Sequence, residues 1–183
     1  PVAPIDPAGA GIAGATMAAY LGRQGKRIAV VEKSMAERDV IIGELLQPGG
    51  VVKLKEMGLE QVLEGFDAQP VKGYALCMNG ENFQIAYPKE NGETVTGRGF
   101  RNGKFLQTIR KQMLANQNVS VFEGTVTELT EIDGKVTGVK YLTKEDKEEK
   151  WGNTNLIPIK RPKLISKRSF WRFQKLLISL QEF

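Results

Sequence analysis

"PAGAGIAGATMAAYLGRQGKRIAVVEK", residues 7–33, decides the fold. Glycines stand at Gly9, Gly11 and Gly14, followed by an Ala-rich run, a short apolar run and an acid, Glu32. The small residues Ala13, Ala15, Ala18 and Ala19 predict a helix over 12–24 that can lie close to a sheet, ended by Gly25. "RIAVVEK" is β-branched and predicts a buried strand. Helix then strand at this distance is the second half of a βαβ unit. The stretch in front, "PVAPIDP", is discordant: Pro4 and Pro7 have no N–H for a central ladder, so at most "VAPID" forms a ragged edge strand.

The glycine spacing has a chemical reading. A diphosphate needs backbone N–H donors with no side chain in the way. Gly9 permits the tight turn out of the first strand, Gly11 lets the backbone approach the pyrophosphate, and Gly14 lets the helix lie close to the sheet. The helix N-terminus then points unpaired N–H groups and partial positive charge at the phosphates. Glu32 stands 18 residues after Gly14, at the end of "IAVV", where an acid accepts hydrogen bonds from the adenosine ribose. The alternative is an ordinary glycine-rich turn; the helix, the strand and the terminal acid favour a dinucleotide cradle. Glu32 would repel a 2′-phosphate, so the site suits FAD or NAD better than NADP, and the motif does not choose between those two.

Composition narrows the chemistry. The 183 residues suffice for one domain with a core, and 41% hydrophobic with 26% charged residues is a globular balance. Histidine is absent, which removes His-based general base catalysis, the serine triad and most zinc sites, and no metal site is expected. An enzyme built this way leans on a cofactor for its chemistry. Cys77 is the lone cysteine, so no internal disulfide forms, and it is expected as a small buried residue in a strand. No apolar run reaches the ~18 residues of a membrane-spanning helix, and no signal peptide is expected. Residues 151–183 hold seven Lys or Arg and one acid, Glu182, whereas residues 1–150 hold 19 basic and 20 acidic side chains. The basic character therefore belongs to the tail, and nucleic-acid binding is not expected, since no recognised module accompanies it.

The remaining segments read in order. "MAERDVIIGELLQPGG" is a loop stopped by Pro48, Gly49 and Gly50, and "VVKLKEMGLEQVLEG" suits two short helices broken at Gly58. Two apolar runs flank Asn79-Gly80, a hairpin signal. "GRGFRNG" reads as a glycine-rich turn, and from Lys104 a helix carries Leu106, Ile109, Met113 and Leu114 on one side. "VSVFEGTVTELTEIDGKVTGVKYLT" is a meander turning at Asp133-Gly134. At Trp151 the texture changes, which places a boundary near 150.

"GELLQPGG", "DAQPVKGYAL", "GRGFRNGKFLQTIRKQM" and "NVSVFEGTVTEL" follow the glycine motif in order. Together, from about Ala8 to about Glu149, they resemble the squalene epoxidase (squalene monooxygenase) family. The resemblance implies an α/β fold: an FAD-binding Rossmann-like βαβ unit of the glutathione-reductase type, with an added β-hairpin and β-meander, as an incomplete domain. It implies FAD as the cofactor, squalene as the substrate and 2,3-oxidosqualene as the product. It also implies NADPH as the indirect electron source, through cytochrome P450 reductase, and association with the endoplasmic reticulum membrane.

The resemblance assigns roles residue by residue. Ile12 and Ala13 match positions on the FAD diphosphate, beside Gly9, Gly11 and Gly14. Glu32 matches the ribose-binding acid, Arg110 an FAD-contacting arginine, and Val126 a backbone contact on the adenine side. Tyr74 matches a tyrosine important for activity, acting with a glutamine near the flavin that Gln47 matches. The chain departs from the pattern where "ERDVIIGE" puts Val40 in place of an FAD-contacting arginine, and Arg38, two residues earlier, becomes the candidate for that phosphate. The resemblance ends before residues 151–183, where Phe170, Phe173, Leu177 and Leu180 form one stripe of a helix over 164–180 and Arg168, Arg172 and Lys175 another. Such a segment suits an anionic membrane surface, and the alternative is an extension with no selected function. The rival to an FAD-dependent monooxygenase is a non-catalytic remnant with weak or no FAD binding.

Overall fold

The computed structural model describes residues 5–6, 9–133, 135–145 and 147–153, so the proposed tail helix over 164–180 lies outside the described residues. In chain order the elements are β1 (Ile5–Asp6), α1 (Ile12–Arg23), β2 (Ile28–Glu32), β3 (Leu45–Leu46), α2 (Pro48–Glu56) and a 3-10 turn (Glu60–Leu63). These are followed by β4 (Gln69–Val71), β5 (Gly73–Met78), β6 (Glu81–Ala86), β7 (Lys89–Glu90), β8 (Glu93–Thr94) and β9 (Gly97–Gly99). The rest are α3 (Asn102–Leu114), β10 (Val119–Ile132), β11 (Lys135–Thr143) and β12 (Glu149–Asn153).

The main sheet runs β1-β2-β10-β11-β12. β2 is its central parallel strand: Ile5 and Asp6 pair with Ala29 and Val30, and Val119–Glu123 pair with Ile28–Glu32. Side chains alternate across a strand, so β2 serves two cores. Ile28 and Val30 face the helices, where Ala15, Ala18 and Ala19 of α1 and Phe105, Ile109 and Met113 of α3 are buried. Ala29 and Val31 face the other way, onto Val139 and Tyr141 of β11. β10 reaches both neighbours by changing partner partway along. Its first half pairs in parallel with β2, and from Gly124 onward it pairs antiparallel with β11, with register shifts after Val126 and Thr130. A Cβ on Gly124 would lie 2.6 Å from the Leu142 carbonyl oxygen, so the crossing needs glycine.

β1 is the two-residue edge strand that the prolines allow. β12 extends three residues beyond position 150, where the sequence texture changes, and pairs with β11 from Gly138 to Leu142.

The smaller sheet, β3-β9-β4, and the hairpins β5–β6 and β7–β8 complete the described fold. Asn79 and Gly80 both have positive φ, as a two-residue hairpin turn requires. Three expectations are corrected here. Pro48 does not stop a segment; it opens α2 behind the N-cap Gln47, because its fixed φ suits a first helical residue and its missing N–H costs nothing there. Gly97–Gly99 is not a turn but the middle strand β9, and a Cβ on Gly97 would lie 2.6 Å from the Leu46 carbonyl oxygen. Leu114 is 56% exposed, because α3 ends there and its buried stripe stops at Met113.

Residues 34–44 lie along the N-terminal half of α3. Gln107 Nε2 donates to the Met35 carbonyl at 3.0 Å, and the Phe100 N–H donates to the Glu44 carbonyl at 2.9 Å. A Cβ on Gly103 would sit 2.1 Å from the Arg38 carbonyl oxygen. Gly103→Ala must therefore push this segment off the helix. Overpacking of this kind costs about 2 kcal/mol, read as a lower urea midpoint with unchanged slope.

Candidate functional site: a glycine loop closed by Glu32 and Arg110

Residues 9–11, ahead of α1, have the backbone that the glycine pattern requires. Gly9 has φ +35, a conformation that side chains disfavour, and a Cβ there would lie 3.1 Å from Glu32 Oε2. Gly11 is the N-cap of α1, with no side-chain cap, and a Cβ on it would meet nothing within 4 Å. The first intrahelical bond runs from the Ala15 N–H to the Gly11 carbonyl at 2.8 Å. The N–H groups of Ile12, Ala13 and Gly14 precede it and have no acceptor in their own helix. Ile12 and Ala13 are exposed and Gly14 is buried against the fold. No acid stands in the first turn to compete for those donors.

Glu32 ends β2 directly behind this loop. Its Oε2 accepts the Ala10 N–H at 2.7 Å and its Oε1 accepts the Ser34 N–H at 3.1 Å. Each carboxylate oxygen has two lone pairs, so both retain capacity for a ribose hydroxyl. The acid thus braces the loop it was read to serve.

Arg110 is the other brace. The side chain is 2% exposed, the one buried charged residue among the described residues. Its Nε donates to the Ala10 carbonyl at 2.8 Å, its Nη1 to the Ala36 carbonyl at 3.2 Å, and its Nη2 lies 3.9 Å from Glu32 Oε2. Burial pulls its pKa down and Glu32 opposes this; Arg38 pulls it further down and Glu123 raises it. Arg38 is exposed. Two positive charges, one sealed and one exposed, therefore lie close enough to act on each other.

Val126 stands apart from this group. It lies three residues beyond the β2–β10 pairing, opposite Tyr141, and its half-buried side chain packs into the second core. Gln47 and Tyr74, which the resemblance pairs, are hydrogen-bonded: Gln47 Nε2 donates to the Tyr74 hydroxyl. The sequence reading missed Tyr87, whose hydroxyl donates to Gln47 Oε1 at 2.8 Å and whose ring meets Tyr74 edge-on, centroids 5.5 Å apart. The hairpin register was the available signal. The two-residue turn pairs Tyr74 with Ile85, and two residues further along the Tyr87 N–H bonds the Lys72 carbonyl at 2.8 Å. That places Tyr87 diagonally across from Tyr74 on one face. Cys77, expected buried, is exposed, because β5 and β6 pair only with each other.

Solved structures of low sequence identity share this architecture. The myxobacterial chondrochloren halogenase CndH, described as a variant of FAD-dependent halogenases, superposes with a TM-score of 0.72 over 84% of this chain and 36% of its own, at 18% identity. The p-nitrophenol 4-monooxygenase PnpA of Pseudomonas putida gives 0.71 over 83% of this chain and 39% of its own, at 17% identity. The fold is therefore the Rossmann-like α/β fold of FAD-dependent monooxygenases and halogenases. No family model matches the chain.

Curated relatives are more specific. Squalene epoxidase 2, mitochondrial, of Arabidopsis thaliana is 48% identical over 141 residues, 76% of this chain and 24% of the relative. Squalene epoxidase erg1 of Schizosaccharomyces pombe is 42% identical over 140 residues, 75% of this chain and 31% of the relative. The squalene monooxygenase of Rattus norvegicus is 37% identical over 174 residues, and its match covers 93% of this chain and 29% of the relative. Over most of its length this chain is a squalene epoxidase homologue. It spans between about a quarter and a third of the length of these relatives.

Proposed function

We propose that this chain forms the FAD cradle of a squalene-epoxidase-type monooxygenase. One observation carries the reading: an α1 N-terminus whose first amides have no acceptor in their own helix, with open space at Gly11, backed by Glu32 at the end of β2. The donor set fits the ADP end of FAD. The amides of Ile12, Ala13 and Gly14 would hold the diphosphate, Glu32 would accept from the ribose, and Arg38 would add positive charge on the phosphate side. Val126 offers backbone on the adenine side. FAD, when bound, supplies the activation of O2. The chain's own residues bind, orient and shield.

The relatives' names carry squalene to this proposal as substrate. Gln47 and Tyr74 are the proposed residues near the reacting end. NADPH delivered through cytochrome P450 reductase, a membrane surface and the endoplasmic reticulum membrane complete the proposal on family resemblance. Among the described residues no helix is long and apolar enough to cross a membrane.

The test is binding. Purified chain should carry or take up flavin, seen as the yellow absorption bands. FAD at about a hundredfold its dissociation constant should stabilise the fold by about 2.7 kcal/mol. NADP should stabilise it far less, because Glu32 repels the 2′-phosphate. A colourless protein whose melting FAD leaves unmoved is the non-catalytic remnant and ends this reading.

A further inference from the structure

Gln47 sits at the N-cap of α2, yet its side chain makes no capping bond. Two tyrosines hold its amide. An amide oxygen only accepts and an amide nitrogen only donates, so the two ends are not interchangeable once one of them is engaged. The Tyr87 hydroxyl donates to Oε1 at 2.8 Å, which turns Nε2 toward Tyr74.

Tyr87 is itself firmly placed. Its N–H bonds the Lys72 carbonyl at 2.8 Å, and its ring stands perpendicular to Tyr74, at 87°. Its ring lies beside β9, at ordinary packing distance from Gly97. Tyr74, by contrast, is 43% exposed and shares its face of the hairpin with Leu76, Phe83 and Ile85.

We propose that Tyr87 is a positioning residue: its hydroxyl pins Gln47 Oε1 and thereby fixes the amide so that Nε2 donates to Tyr74. This rests on the reading of Gln47 and Tyr74 as the reacting end. Tyr74 then presents toward the apolar face an oxygen already supplied with a donor. Its contacts with the Tyr87 hydroxyl and with the Gln47 amide hold the Tyr74 phenol below the ordinary range. Without the Tyr87 hydroxyl, the amide is free to turn over and take the Tyr74 proton onto Oε1.

The test uses the full chain, isotope-labelled, and nuclear Overhauser contacts from the Gln47 side-chain NH2. In the native chain these protons should contact the Tyr74 ring and not the Tyr87 ring. Tyr87→Phe keeps the ring and its packing, and the preference should be lost; Tyr74→Phe should keep the amide where it is. Contacts to the Tyr87 ring in the native chain, or an unchanged pattern in Tyr87→Phe, overturn the proposal. Gln47→Glu is the second arm, should Tyr87→Phe not fold. A carboxylate only accepts, so Tyr74 must reverse its role and its phenol should ionise at higher pH than in the native chain; an unmoved titration overturns the proposal. Neither arm needs flavin, so a colourless protein leaves both readable and separates this inference from the FAD reading.

Discussion

Arg110→Met should cost the protein about 3 kcal/mol and take FAD binding with it. Methionine replaces the volume but none of the bonds. The Ala10 and Ala36 carbonyls lose their donors, and Glu32 loses the cation 3.9 Å away. Removing one partner of a buried, hydrogen-bonded charge leaves the others uncompensated, at about 3–5 kcal/mol; the partial exposure of Glu32 puts this case at the lower end. The loss is measured by urea unfolding. Function should fall further than stability, because Ala10 belongs to the loop that presents the amides. Arg110→Lys separates charge from geometry. Lysine restores a cation but not the fork that reaches both carbonyls, so it should recover only a minor part of the stability. Full recovery by lysine would mean that charge alone matters here, and the bracing role of Arg110 would be wrong.

Arg110 also shows where sequence reading stops. On a helix of alternating charged and apolar residues, an arginine reads as a solvated face unless a family pattern marks it. Its burial depends on Ala10 and Ala36, 100 and 74 residues away in the chain. No local period contains that information. The cradle was legible for the opposite reason: the Gly9–Gly14 loop, the small-residue stripe of α1 and the β-branched run before Glu32 are local, and their spacing states the geometry. Pro48 and Gly97–Gly99 were misread because proline and glycine punctuate loops in most settings. Here Pro48 starts a helix, and Gly97 lets β9 lie against β3, where a Cβ would come 2.6 Å from the Leu46 carbonyl oxygen. Tyr87 is an intermediate case. The Asn79-Gly80 turn fixes the hairpin register, and the register alone sets Tyr87 beside Tyr74. What the register does not contain is Gln47, which arrives from another element through the packing of α2.

Gly11→Ala is the sharpest division between folding and binding that the molecule allows. At Gly11 the backbone has φ −72 and ψ 179, open to any side chain, and a Cβ would meet nothing within 4 Å. The substitution should change unfolding stability by no more than about 1 kcal/mol. The same empty space is where a diphosphate must come within hydrogen-bond reach of the amides. A methyl group there holds the phosphate off. Losing two charge-assisted bonds at about 1.5 kcal/mol each weakens FAD binding about a hundredfold. Gly9→Ala is the contrasting variant. With φ +35 and Glu32 Oε2 only 3.1 Å from the added carbon, it should lose about 1–2 kcal/mol of stability as well as the cofactor. Thermal melting with and without FAD reads both variants in one experiment. If Gly11→Ala takes up FAD like the parent chain, the diphosphate does not approach at Gly11. The open space at the N-cap of α1 then belongs to the fold alone.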